Sequence, residues 1–168
     1  MSMRSFTALL FGATIAAAAP SCALPSTQST SSTPTTASAG STVRDGKFEF
    51  RVLNVEPADQ AGSADGNPYE QVKPQGQFII VTMSVANIGD QPQSYFGQNQ
   101  KLIDPSGRQY GVNSEADIYL NSNSGLGDIN PGNSIQVKEA FDVPPGTVPS
   151  ALEVHDSMLS GGATVRLS

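Results

Sequence analysis

At 168 residues, 38% of them hydrophobic, the chain has room for one folded domain beside an export segment and a linker. Its single cysteine excludes an intrachain disulfide and, with it, dithiol redox chemistry. Nine Lys and Arg are scattered against fifteen Asp and Glu, so the clustered cations with which nucleic-acid binders neutralise phosphates are missing, and nucleic acid is excluded as a partner.

Residues 1–21 read as a signal peptide. Arg4 supplies a positive start, and the stretch 6–19 is fourteen apolar or small residues. As a helix that stretch measures about 21 Å, short of the roughly 30 Å hydrocarbon core a permanent span must cross. Two processing outcomes compete at its end. Ala19-Pro20-Ser21-Cys22 resembles the lipobox of bacterial lipoproteins, in which the cysteine is diacylated and becomes the new N-terminus; Ser21 fits that pattern, whereas Ala19 and Pro20 depart from it. Ser21-Cys22-Ala23 instead offers small residues to an ordinary signal peptidase, with cleavage before Leu24 and release of a free protein. The sole cysteine of the chain standing just past the apolar run favours lipidation, which makes Cys22 a lipid attachment site and the cell membrane a partner.

Residues 22–43 read as a disordered tether. Of the seventeen residues 26–42, twelve are Ser or Thr and none is charged or bulky, a composition with nothing to bury. The folded domain is expected over 44–168 and is mainly β. Phe48, Phe50 and Val52 alternate with Glu49 and Arg51, and the switch to Leu53 and Val55 predicts a bulge. The most apolar segment puts Ile79, Val81, Met83 and Val85 on one face and Phe78 and Ile80 on the other, as a central strand does. Asp104-Pro105-Ser106-Gly107 predicts a hairpin between Leu102-Ile103 and Gln109-Tyr110. Asn130-Pro131-Gly132 and Pro144-Pro145-Gly146 bracket a strand through Ile135, Val137 and Phe141, and Leu152-Val154 and Val165-Leu167 form a last pair. Seven to nine strands of this kind make a β-sandwich.

These landmarks, with Val85-Ala-Asn-Ile-Gly-Asp90 and Phe141-Asp-Val-Pro144, resemble a widespread bacterial lipoprotein domain of unknown function, also similar to secreted immunogenic proteins of actinobacteria. The resemblance implies an immunoglobulin-like antiparallel β-sandwich and, resting on turns and core strands, supports the fold more than any activity.

Candidate chemistry is sparse. His155, the only histidine, lies between Leu152-Val154 and Asp156 at a position that alternation turns to solvent, and no Gly-x-Ser-x-Gly elbow supplies a nucleophile, so an enzyme is not expected. His155 with Met158 would suit Cu(I) only with more soft ligands nearby. Asp117, Asn121, Asn123 and Asp128 lack the spacing of a calcium loop, and Gly125-Leu126-Gly127 lacks the third glycine of a nucleotide loop. No metal or cofactor is expected. Tyr95, Phe96, Tyr110 and Tyr119 either form an aromatic contact patch or pack at the core and its corners, the second being the simpler reading. What remains is a non-enzymatic envelope domain that binds a protein or envelope component, with the long stretches 56–74 and 113–128 as candidate binding loops. An extracytoplasmic metal- or small-ligand-binding protein is the alternative.

Overall fold

The structure is a computed structural model that describes residues 36–122 and 127–168. The signal peptide, Cys22 and Asn123 to Leu126 lie outside the described residues.

Two sheets face each other. The first runs in the order β1 (Thr36–Ser38), β13 (Ala163–Arg166), β12 (Ala151–Val154), β8 (Lys101–Ile103), β9 (Gln109–Gly111). The second runs β11 (Ser134–Val143), β6 (Gln77–Asn87), β3 (Phe48–Ala58), β2 (Thr42–Asp45). These nine strands form the expected sandwich. An isolated bridge between Val112 and Phe141 joins the β9 edge of one sheet to the β11 edge of the other.

Each sheet turns its alternating apolar residues inward. Phe48, Phe50, Met83, Phe141, Leu102 and Leu152 are fully buried between the layers, where each side chain of that size contributes about 1.5–3 kcal/mol. The bulge falls between Val52 and Asn54. It takes up one residue, so that Leu53 faces solvent while Val55 still packs on the core. The central strand β6 is buried on both faces, because its outer residues Phe78 and Ile80 form a second cluster with Ala61, Ala116 and Ala140.

The cover for that outer face comes from the two stretches the sequence offers as binding loops. β4 (Ala61–Gly62) and β5 (Gln71–Val72) pair as a short hairpin, and α1 (Ser114–Leu120) is a helix where a loop was expected. Asn113 caps α1 by accepting a hydrogen bond from the Ala116 amide at 3.0 Å. Beyond the helix, Asn121 accepts from the Lys138 amide (2.9 Å) and donates to its carbonyl (2.8 Å), standing in for one residue of a neighbouring strand along the open edge of β11.

Strand structure begins ahead of residue 44. β1 and the first two residues of β2 fall within residues 22–43, and β1 pairs with β13 in parallel, Thr36 opposite Thr164. The sandwich is therefore not wholly antiparallel. Small Ser, Thr and Ala side chains do not advertise a strand, but a sheet edge supplies their backbone with partners, and Ala37 packs against the core.

Candidate functional site

One end of the sandwich gathers the β2–β3 turn around Lys47, the segment from Ile88 to the 3-10 helix Gly97–Asn99, the strand pair β7 (Gln93–Ser94) with β10 (Asp128–Ile129), and the turn 155–162. Between them lies an open cleft of about 740 Å³, lined by Lys47, Phe96, Gln98, Asp128, Asp156 and Met158 among others. A smaller hollow of about 210 Å³ continues past Gln98 and Met158 to Lys101 and His155.

Buried polar side chains hold this end in shape. Gln100, fully buried, accepts from the His155 amide at 2.7 Å and donates to the carbonyls of His155 (3.2 Å) and Phe96 (3.3 Å). Asp45 accepts from the amides of Asp156 (2.7 Å) and Gly162 (3.1 Å), and Asp156 accepts from the amide of Lys47 (3.3 Å). Asn87, also fully buried, donates to the carbonyls of Gln91 and Ile129, both at 2.7 Å. Charged and amide side chains here satisfy the backbone groups of these turns, those at Gln100 and Asn87 in the buried interior.

His155 does not point to solvent as alternation predicts. Its side chain is 11% exposed, with Nε2 at 2.8 Å from Glu153 and Nδ1 at 3.3 Å from Ser160 Oγ. The physical reason is that β12 ends at Val154, so the period of two no longer applies one residue later. Gly162, at φ 73°, lies flat against the imidazole; a Cβ there would come within 2.5 Å of the ring. The serine, histidine and glutamate form a hydrogen-bonded chain that resembles a nucleophile with its base and orienting acid. Ser160 Oγ, however, donates to the Ser157 carbonyl at 2.9 Å, so its proton closes a turn and is not directed at the imidazole. Ser160 also does not line the cleft. This arrangement locks the turn 155–162.

A second group escapes the sequence reading. Glu139 is fully buried and faces the interior between Val137 and Phe141, where Tyr95 donates to its Oε1 at 2.9 Å and Oε2 has no partner. Burial, and then the negative charge of Asp117 on α1, push the Glu139 carboxyl well above the ordinary glutamate range. Burial and Glu139 likewise push up the Tyr95 phenol. Gly97 sits directly over the carboxylate oxygens, so a side chain there would have to displace the Glu139 carboxylate. A signal was present: in Ile135-x-Val137-x-Glu139-x-Phe141 a glutamate stands at an inward position.

Residues 37–164 match the profile of a domain of unknown function, DUF4352. The chain belongs to this family. No curated protein matches it by sequence. Among solved structures it is similar to MPT63, a secreted protein from Mycobacterium tuberculosis, with a TM-score of 0.60 at 17% identity over 81% of this chain and 99% of that one. It is also similar to the yjhA protein from Bacillus subtilis, with a TM-score of 0.57 at 16% identity over 79% and 99%. An uncharacterised β-sandwich protein from Clostridium difficile gives 0.51 at 13% identity over 81% and 95%. At these identities the likeness carries the fold alone.

Within this DUF4352 domain the predicted site residues do not converge. Tyr95 packs edge-on against Phe48, ring centroids 6.1 Å apart, and Tyr110 donates to Asp104 at the opposite end. Tyr119 belongs to α1. Only Phe96 of the four aromatics lines the cleft, and among the described residues of the stretch 113–128 only Asp128 does. Asp117 bonds to Asn121 within the helix region, and among the described residues no group of three or more His, Cys, Asp or Glu is placed to hold a metal. The cleft is built instead from short segments far apart in sequence.

Proposed function

We propose that this chain is an exported, non-enzymatic envelope protein, lipid-anchored through Cys22, whose DUF4352 sandwich binds a protein or other envelope component with its cleft end. The observation that carries the reading is the cleft itself: an open, rigidly held groove with Phe96 61% and Met158 83% exposed on its wall. Large apolar side chains held out in water by a fixed backbone mark contact surfaces. The signal segment, the position of Cys22 and a fold shared with a protein described as secreted support an extracytoplasmic location.

The volume of the cleft also falls in the range of small-ligand pockets, roughly 300–1,000 Å³, which favours a small-ligand binder as a second reading. Such pockets enclose most of their ligand, whereas this groove lies open along its length; that favours the larger partner.

A photocrosslinking amino acid placed at Phe96, compared with one at Val148 on the opposite end, separates these readings in intact cells. An adduct at position 96, with protein or with lipid, and none at 148 is expected. Equal labelling at both positions, or none at 96, contradicts a binding role for this end.

A further inference from the structure

We infer that the cleft end of the sandwich seats on a lipid bilayer surface, with Met158 and Leu159 entering the layer between headgroups and acyl chains. The inference rests on the reading that Cys22 is lipidated, and it names the envelope component that the cleft end meets.

Leu159 is 91% and Met158 83% exposed, side by side at the tip of the turn 155–162. Phe96 and Ile88 are exposed at the same end, so four of the eight exposed large hydrophobic residues among the described residues lie there. At the opposite end Val148 is exposed beside the turns at Ser106 and Gly146, and Tyr69 is exposed on the connection that leaves β3 at Ala58 and re-enters β6 at Gln77. The tip is stiff: Ser160 and His155 close the turn from within, and Asp45 and Gln100 fasten its two flanks to β2 and to the 3-10 helix. The apolar pair therefore stays in water unless something covers it.

The entry of the chain selects the bilayer as that cover. β1 runs parallel to β13 with Thr36 opposite Thr164, so the chain enters the sheet beside Gly162 and Ala163, at the end that carries the tip. Thirteen residues separate Cys22 from Thr36. However arranged, they span at most about 50 Å, so an acylated Cys22 keeps the tip end within that distance of the membrane. A pair of apolar side chains on a rigid turn is too small to hold a protein on a bilayer unaided; joined to a lipid anchor, it fixes orientation.

Charge does not drive this contact. From Cys22 onward fifteen acidic residues outnumber eight basic ones, and Asp45 and Asp156 near the tip are engaged with backbone amides. Seating is therefore expected on zwitterionic lipid and is insensitive to salt.

The test uses the full mature protein extracted from membranes. With Cys22 blocked by its thioether, Leu159→Cys supplies the one free thiol, and Ser106→Cys supplies it at the far end as reference. Each is labelled with an environment-sensitive nitrobenzoxadiazole dye and reconstituted into phosphatidylcholine vesicles. Flotation reports the anchor, and dye emission with quenching by spin-labelled lipid reports the tip. Expected is flotation of both proteins, with emission from position 159 at least twofold brighter than from 106 and quenched by the labelled lipid. Flotation with equal, unquenched emission at the two positions overturns the seating and leaves the anchor standing. Failure to float overturns the anchor and the seating together.

Discussion

Replacing Gln100 with alanine is expected to destabilise the domain by about 3 kcal/mol and to lower its melting temperature by about 10 °C. Gln100 is fully buried, and its one amide group serves the amide of His155 and the carbonyls of His155 and Phe96. Removing it strands these backbone groups at a cost of about 1–3 kcal/mol for each one truly cut off from water. A space the size of the lost side chain adds to that. The same change unfastens the turn 155–162 from the 3-10 helix, so amide hydrogen exchange from Asp156 to Ser160 is expected to quicken well before global unfolding. A melt within about 2 °C of the parent, with unchanged exchange in the turn, would mean that Gln100 is not what holds the cleft together.

Glu139→Gln is expected to do the opposite, raising stability at pH 8 while leaving it nearly unchanged at pH 4. In the unfolded chain this carboxyl loses its proton near the ordinary glutamate value of 4.5; in the fold, burial and Asp117 hold the proton on to higher pH. Between those two values unfolding releases a proton, so stability is greatest below about pH 4.5 with respect to this group and falls as pH rises toward the folded value. Each unit of that interval costs about 1.4 kcal/mol. Asp117, raised by its own partial burial, contributes with the same sign. Glutamine keeps the shape and a partner for the Tyr95 hydroxyl but has no proton to lose, so the slope between pH 5 and pH 8 is expected to flatten. Urea unfolding across that range decides the matter; parallel slopes for parent and variant would contradict a buried, proton-holding Glu139.

How much of this was legible in the sequence depended on whether the signal was local. The alternation of Phe48-x-Phe50-x-Val52, the bulge after it and the Asp104-Pro-Ser-Gly107 turn are written within a few residues each, and they appear where expected. β1 was hidden because its pairing with residues 164–166 is set by the far end of the chain. α1 was hidden because seven residues with one buried alanine carry little helical pattern; the Asn113 cap and the contact of Asn121 with Lys138 stabilise it. Alternation carried one residue beyond Val154, where β12 ends, turns His155 to solvent, whereas Glu139 stands at an inward position that the alternation of β11 itself marks. The cleft draws on Lys47, Phe96, Asp128 and Met158, which no single window of sequence contains.

Anchoring at Cys22 underlies both the proposed function and the seating of the cleft end, and the intact mass of the mature N-terminus tests it most directly. The expected result is a chain that begins at Cys22 with the added mass of a diacylglyceryl group, and that leaves the membrane fraction in the Cys22→Ala variant. A mature chain that begins at Leu24 and carries no lipid contradicts it.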